Sequence, residues 1–264
     1  MAKQQSLVPA SELAKHEIRF PDESAEYRRA RNELLAREIE LRRATEAVAV
    51  ARRALPPGGR VPEDYVFDGL GADGKPARLK LSELFTRGRD SLIVYNFMFP
   101  RHSGDDRPGP TDGEAARWKK PDTPCPSCTA VLDTLDRAAH HVEAAGFNFA
   151  VVAKASLDQL LAFGRDRGWR SLRLLSAAGN TFQRDYHGET ADGPRPIMNV
   201  FRRRGDVIEH FWSSEMTYTG ADPGQNPRHN GTVDTLWNLM DMTAEGRPSD
   251  WDVRISYEKE KPAR

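Results

Sequence analysis

Residues 125–146 read CPSCTAVLDTLDRAAHHVEAAG, in which two cysteines three positions apart precede a run of helical composition that ends at Gly146. The pattern places the cysteine pair at the N-terminus of a predicted helix. The positive end of the helix dipole and the unpaired first-turn N–H groups stabilise a thiolate there, and the thiolate is the nucleophilic form of cysteine. We therefore predict that Cys125 is the attacking thiol.

Cys128 follows one helical turn later, so its sulfur can reach a mixed disulfide formed on Cys125. Pro126 suits an early helical position because it has no N–H to leave unpaired. Two cysteines in 264 residues cannot form a disulfide scaffold, and in a reducing compartment this spacing indicates redox chemistry or metal binding. We predict that Cys128 is the resolving thiol.

The segments on both sides of the cysteine helix alternate between short apolar runs and helical patterns, which predicts an α/β domain. Residues 91–99 form a β-rich apolar run, typical of a central strand covered on both faces. After the cysteine helix, the patterns predict a strand at 147–153, a helix at 156–167 and a β-hairpin at 196–212.

A long connection separates the predicted central strand from the cysteines. Residues 101–124 contain seven glycines or prolines and no apolar period. A loop of this length inside a compact domain is usually functional or mobile. Trp118 lies in this loop, and its side chain would either cover the dithiol or anchor the loop on its own domain.

The N-terminal region is predicted to be one long charged helix. Residues 22–54 hold eight basic and seven acidic residues and neither glycine nor proline. Apolar residues recur every seven positions along it, and this seam would pack on the domain or form a homodimer with a second subunit. Because the Pro56-Pro57-Gly58-Gly59 run ends the helix, we predict a helical arm at 1–59 and a second domain at 60–264.

Composition excludes several classes of protein. The 39 basic and 39 acidic residues balance, which argues against binding of nucleic acid or anionic membranes by bulk charge. The longest apolar stretch is far shorter than the roughly 18 residues of a membrane span. The N-terminus lacks the apolar core of a secretory signal. We therefore expect a cytoplasmic protein.

Pro196 begins the predicted hairpin, where a proline is tolerated because the first residue of a strand need not donate to the sheet. At this point the chain resembles the thioredoxin superfamily, in which a proline in cis begins this strand and faces the dithiol. The resemblance implies a central mixed sheet flanked by helices. It also makes Pro196 a site residue beside Cys125 and Cys128.

Six further segments make the resemblance more specific. They are ARNELLAREIELRRATEAVAVARRALP, DYVFDG, SLIVYNFMFP, CPSC, GNTFQRDYHG and LWNLMDMTAEGRPSDW. Together, over about residues 22–257, they resemble the bacterial thioredoxin-like family named domain of unknown function 899, whose members are described as predicted dithiol-disulfide oxidoreductases. The loop at 101–124 is longer than the family pattern leads us to expect.

The leading hypothesis is thiol–disulfide exchange with a thiol or disulfide substrate and an external reductant, and it requires neither cofactor nor metal. One alternative is peroxide reduction through Cys128. Peroxiredoxins have a proline and a threonine seven and three residues before the attacking cysteine, and here those positions hold Pro121 and Cys125. The cysteine in place of the threonine favours dithiol exchange. Another is a copper or zinc site formed by both cysteines and one histidine. A partner-binding scaffold is a weaker third alternative.

Three histidines are candidates for that additional metal ligand. His102 lies in the long loop, and His187 and His210 lie near the ends of predicted strands, so the fold could bring any of them to the cysteines. For each alone, an ordinary hydrogen-bonded histidine is the simpler interpretation. Measuring the metal content of the protein separates this hypothesis from the redox one.

Overall fold

A computed structural model describes residues 7–225, 228 and 231–257 of the chain. The chain divides into two compact units, Met1–Pro56 and Pro57–Arg264. That the first unit is an arm separate from the second domain stays a prediction.

The first unit consists of a short helix α1, Ala10–Leu13, and a long helix α2, Ala25–Arg53. The N-terminus of α2 is capped by Ser24, whose side chain accepts a hydrogen bond from the Tyr27 N–H at 3.0 Å. The predicted long charged helix is therefore present. It ends at Arg53, three residues before Pro56, which could not continue the helix.

The two sides of α2 differ in their surroundings. Ile39 is buried together with Ala10 and Ala14. The residues of the seven-residue seam are all exposed, with 43–67% of their surface accessible; they are Tyr27, Leu34, Leu41, Val48 and Leu55. The homodimer through this seam stays a prediction.

The second unit contains nine strands and four α-helices among its described residues. The strands are β1 Val66–Leu70, β2 Pro76–Lys80, β3 Ser91–Asn96, β4 Asn148–Ala153, β5 Leu174–Ser176, β6 Glu189–Thr190, β7 Gly193–Pro194, β8 Met198–Arg204 and β9 Val207–Ser213. The helices are α3 Pro126–Ala144, α4 Leu157–Arg167, α5 Phe182–Asp185 and α6 Thr235–Met240. The chain also forms 3₁₀ turns at Leu81–Leu84, Ala115–Arg117, Lys120–Asp122, Glu215–Tyr218 and Gly231–Val233.

Seven of these strands form one mixed sheet in the order β2-β1-β5-β4-β3-β8-β9. Strand β3 pairs in parallel with β4 and antiparallel with β8, and β8 continues into the hairpin with β9. Helix α3 makes the crossover from β3 to β4. A parallel βαβ unit followed by an antiparallel hairpin at its side is the thioredoxin-like arrangement, so the predicted fold class is confirmed.

Alternation along the strands divides the core into two buried clusters on opposite faces of the sheet. On β3, Tyr95 belongs to the cluster that contains both cysteines, whereas Leu92 and Val94 belong to the other cluster. The cysteine side is closed by α3 and α4 through residues such as Leu132, Leu160 and Phe163. The two cysteines are therefore part of a packed core and not of an open surface.

Two other features concern predictions made from the sequence. Within the described residues, no helix is both long and apolar enough for a membrane span.

The cis peptide bond expected before Pro196 is not found there. The structure has a cis bond at Phe99–Pro100, in the segment after β3. Pro196 also precedes its strand by two residues, because β8 begins at Met198.

Candidate redox site

The site lies at the N-terminus of α3, next to the segment that follows β3. Cys125 is the N-cap residue of α3, with extended backbone angles, and Pro126 occupies the first turn as predicted. The Cys125 N–H donates to the carbonyl oxygen of Met98 at 2.9 Å. This bond fixes the start of the helix next to the chain that follows the central strand, although 26 residues, 99–124, lie between Met98 and Cys125.

The two cysteines are 3.8 Å apart and both are free thiols. Each has about 1% of its surface exposed. The backbone N–H and the thiol of Cys128 both hydrogen-bond to Cys125. The first turn of α3 therefore solvates the Cys125 sulfur in place of water.

Arg107, which lies in the long loop, also contacts the sulfur of Cys125. Its Nη2 lies 3.6 Å from Cys125 Sγ, and its Nη1 donates to Ser127 Oγ at 2.8 Å. Asp105 holds the guanidinium through two hydrogen bonds, Nε to Oδ1 at 2.9 Å and Nη2 to Oδ2 at 2.8 Å. Asp252 adds a longer contact at 3.3 Å. A bidentate carboxylate thus orients the cation toward the thiol.

These contacts separate the pKa values of the two thiols. Hydrogen bonding from Cys128, assisted by its backbone N–H and by the charge of Arg107, lowers the pKa of Cys125 from 9.0 to about 6, against the opposing effect of burial. Burial, followed by the hydrogen bond to Cys125, raises the pKa of Cys128 well above its ordinary value. Near neutral pH the pair therefore holds one thiolate, on Cys125, and one thiol, on Cys128.

Tyr95 is the neighbour of the second thiol. Its hydroxyl is buried, makes no hydrogen bond of standard geometry to the described residues and interacts with the Cys128 thiol electrostatically. This interaction acts to lower the pKa of Cys128, although burial has the larger effect. Tyr95 belongs to the apolar run at 91–99 that predicts a central strand, and in the structure it lies in the core cluster that contains both cysteines.

The loop at 101–124 forms a wall of this site. Arg101, with a buried side chain, donates from Nη1 to the carbonyl oxygen of Arg107 at 2.9 Å. Trp118 packs on the cluster that contains both cysteines, with its ring centroid 5.6 Å from that of Phe99. The sequence indicated a functional loop, but it did not single out Arg101 or Arg107, because nothing local marks a loop arginine as buried.

Several residues predicted from the sequence lie apart from the dithiol. His210 bonds to Asn199 Oδ1 at 2.9 Å and packs on Phe201, which belongs to the opposite core cluster. His102 bonds to the Asp192 carbonyl oxygen at 2.6 Å, and the ring of His187 packs on Tyr218. Across the part of the chain that the structure describes, no three side chains of metal-binding type come together.

Pro196 takes no part in the hydrogen bonds described for the two thiols. The adjacent residues instead connect β8 to the sheet, since the Ile197 carbonyl oxygen accepts from the Asn96 N–H at 2.8 Å. A role for Pro196 in catalysis stays a prediction.

Solved structures of low sequence identity share parts of this architecture. An uncharacterized conserved protein from Geobacillus kaustophilus aligns over 65% of this chain and 74% of its own, with 13% identity and a TM-score of 0.40. A peroxiredoxin-like protein from Aquifex aeolicus aligns over 70% and 88%, with 13% identity and a TM-score of 0.39. A thiol:disulfide interchange protein of the thioredoxin family from Chlorobium tepidum TLS aligns over 69% and 97%, with 18% identity and a TM-score of 0.35.

Sequence comparison gives a more direct assignment. No curated protein matches the chain. The model of one family, described as bacterial protein of unknown function (DUF899), matches residues 17–261. This match covers most of the chain and agrees with the resemblance found from its motifs, so the protein belongs to the DUF899 family.

Proposed function

We propose that this protein is a thiol–disulfide oxidoreductase in which Cys125 attacks and Cys128 resolves. The observation that carries the proposal is the pairing of two free thiols 3.8 Å apart whose pKa values are shifted in opposite directions. A low-pKa thiol beside a protonated one is what a two-step exchange requires. The reducing cytoplasm is the proposed setting, because both thiols must be returned to the reduced state there.

The reaction transfers two electrons. The Cys125 thiolate attacks one sulfur of a disulfide RSSR, forms a mixed disulfide and releases RS⁻. Cys128 then loses its proton, attacks Cys125 Sγ and releases the second RS⁻. The products are the Cys125–Cys128 disulfide and two RSH molecules, whose protons come from Cys128 and from water. An external thiol reductant returns the enzyme to the dithiol by the reverse exchange.

A redox titration tests this proposal. We expect both free thiols of the purified protein to disappear together, reversibly and as a two-electron couple, across a series of glutathione buffers. Metal content is measured on the same sample. Stoichiometric copper or zinc that blocks both thiols, or oxidation in two independent one-thiol steps, would contradict the proposal.

Hydroperoxide reduction is the second candidate, favoured by the burial of both thiols, because a small oxidant needs less opening of the loop than a protein disulfide does. Here Cys125 attacks one oxygen of ROOH and releases ROH, and the resulting sulfenic acid condenses with Cys128 to give the disulfide and water. The order of the two pKa values supports Cys125 as the nucleophile and argues against peroxide attack by Cys128. Single-turnover rates are measured with hydrogen peroxide and with a small disulfide. The comparison shows which oxidant reacts faster with the reduced protein.

Tyr95 provides a prediction about the second step. Its hydroxyl is placed to donate a hydrogen bond to Cys128 when that sulfur becomes a thiolate. We expect Tyr95→Phe to slow resolution of the mixed disulfide by about 10-fold, the effect of one hydrogen bond to a charged group, while the initial attack by Cys125 keeps its rate. Rapid-quench mass spectrometry follows both steps. Tyr186→Phe, which removes a hydroxyl from the opposite core, is the control.

A further inference from the structure

The long loop at 101–124 is closed at its base beside the dithiol. The Arg101 N–H donates to the Thr123 carbonyl oxygen at 2.9 Å, and the Cys125 N–H donates to the Met98 carbonyl oxygen, also at 2.9 Å. These two hydrogen bonds hold the first residue of the loop next to the residues that precede α3. Arg101 therefore starts its side chain close to the attacking thiol.

Arg101 is a buried cation with incomplete hydrogen bonding. Only 1% of its side chain is exposed, and its Nε and Nη2 atoms have no hydrogen-bond partner among the described residues. Its Nη1 atom donates to the Arg107 carbonyl oxygen at 2.9 Å, which is a neutral acceptor. Because water does not solvate this guanidinium, its stability depends on negative charge nearby.

Two groups supply negative charge to Arg101. Asp105 approaches it at 3.9 Å but makes its two short hydrogen bonds to Arg107 instead. The second group is the thiolate of Cys125. Burial lowers the pKa of Arg101, and the charges of Asp105 and Cys125 both oppose that effect. Two guanidiniums thus share one carboxylate, and the thiolate is the other anion that acts on both of them.

The charges of this group balance only while Cys125 is a thiolate. Arg101 and Arg107 carry two positive charges, and Asp105 and the thiolate carry two negative ones. Asp252 also contacts Arg107, but 58% of its side chain is exposed, so water screens its charge. Oxidation of the dithiol to a disulfide removes the thiolate and leaves the buried part of the group with an excess positive charge.

The electron count of the oxidation shows where this charge goes. The Cys125 thiolate forms a bond to one sulfur of the substrate RSSR, and RS⁻ departs with the electron pair of the broken S–S bond. The Cys128 thiol then gives its proton to water, and its sulfur displaces the second RS⁻ as the internal disulfide forms. The protein has lost two electrons and one proton, so its charge is one unit more positive than before.

We propose that the Cys125 thiolate is the counter-ion that holds Arg101 and the loop in place, so that oxidation of the dithiol releases the loop and opens the disulfide to its reductant. This inference rests on the proposed function, because it requires the dithiol to be oxidised during turnover. Other contacts of the loop, such as the hydrogen bond from the Ala115 N–H to Asp166 Oδ2 at 3.0 Å, do not involve the thiols. Reduction restores the thiolate and closes the loop.

Hydrogen–deuterium exchange of the full-length protein tests the redox dependence. We expect amides of the loop at 101–124 to exchange about 10- to 100-fold faster in the disulfide form than in the reduced form, the effect of losing an interaction with a charged group. Amides of β4 and β5, inside the sheet, should exchange equally in both forms. Equal exchange of the loop in a protein whose thiols titrate reversibly would overturn this inference and leave the proposed function intact.

Two substitutions at Cys125 test the charge without a disulfide. Cys125→Asp keeps a negative charge at the start of α3, whereas Cys125→Ser has a neutral hydroxyl, and neither variant can form the internal disulfide. We expect the loop to exchange slowly in Cys125→Asp and about 10- to 100-fold faster in Cys125→Ser, under reducing and oxidising conditions alike. Equal exchange in the two variants would overturn the proposal whether or not the dithiol is redox-active.

Arg101→Met tests the cation of the pair. Methionine fills a similar space without a charge, so the loop should exchange at the same rate in both redox forms. The dithiol should also shift toward the disulfide in glutathione buffers by about 10-fold, or about 30 mV for a two-electron couple, because the cation no longer favours the thiolate. A purely structural role of Arg101 would leave this equilibrium unchanged. The two Cys125 variants decide the proposal if Arg101→Met does not fold.

Arg165→Met is the matched control. Arg165 also contacts the loop, since its Nη2 lies 3.7 Å from a carboxylate oxygen of Glu114, but 68% of its side chain is exposed. Because water already solvates this cation, we expect Arg165→Met to change neither the redox dependence of loop exchange nor the glutathione equilibrium. Shifts as large as those of Arg101→Met would contradict a specific counter-ion at Cys125.

Discussion

Cys125→Ser is expected to abolish disulfide reduction completely, and Cys128→Ser to stop the reaction halfway. A serine hydroxyl at residue 125 cannot form a disulfide, so no electrons leave the site. With Cys128 replaced, Cys125 still attacks, but the mixed disulfide has no internal thiol to resolve it. Intact-mass spectrometry after exposure to hydroxyethyl disulfide should show a stable adduct of one mercaptoethanol on Cys128→Ser and none on Cys125→Ser.

The two variants are matched, since each replaces one buried thiol with a hydroxyl in the first turn of α3. Equal thermal unfolding temperatures would show that both retain the fold. The roles assigned here would be wrong if the adduct accumulated on Cys128 in the Cys125→Ser protein. If neither variant formed an adduct while the unchanged protein turned over substrate, the dithiol would not be the reaction centre.

The second large effect is expected in the pH dependence of thiol reactivity. Iodoacetamide alkylates the thiolate form of cysteine, and the reaction is followed in the protein that retains both cysteines. In the protein with both cysteines, the Cys125 pKa is lowered from 9.0 to about 6, so its reactivity should already be at its plateau near pH 8 and should fall as the pH drops through about 6. Tryptic peptide mapping assigns alkylation to Cys125 or Cys128.

Arg107 tests the electrostatic part of this shift. Hydrogen bonding from Cys128 is the larger cause, and Arg107 acts in the same direction. We expect Arg107→Met to move the alkylation midpoint of Cys125 upward, toward 9.0, because a cation 3.6 Å from the sulfur no longer favours the thiolate. The midpoint is the quantity to compare, since changes in loop opening alter the plateau rate but not the pH at which the thiolate forms.

Arg137→Met is the control for that experiment. Arg137 lies on the same helix as the cysteines but has 70% of its side chain exposed, and its nearest carboxylate contact is with Asp136. It should leave the Cys125 midpoint unchanged. An unchanged midpoint in Arg107→Met as well would mean that the first turn of α3 alone stabilises the thiolate.

Burial of the dithiol makes the loop at 101–124 important for each of these predictions. The loop supplies Arg107 to the Cys125 sulfur and Trp118 to the core around both thiols. Access for a substrate and activation of the nucleophile therefore depend on the same segment. Substitutions in this loop should affect both substrate binding and the pKa of Cys125, whereas substitutions in the hairpin of β8 and β9 should affect neither directly.

The local elements of this protein were predictable from its sequence. Cys125 at the start of a helix, β3 as an internal strand and the hairpin of β8 and β9 depend on spacing, capping and turn residues within a few positions of one another. That Cys125 has the lowered pKa could likewise be predicted, because a helix N-terminus stabilises the thiolate wherever the helix lies.

Only the tertiary structure determined which other side chains reach the dithiol. Tyr95 and Arg107 come from positions 33 and 18 residues before Cys128 and Cys125, by the differences 128 − 95 and 125 − 107. No periodic pattern marks such residues, because an aromatic strand residue suits the core and a loop arginine suits the surface whether or not a thiol is near. Their proximity arises from the path of the folded chain, as does the position of His210 against the opposite core cluster.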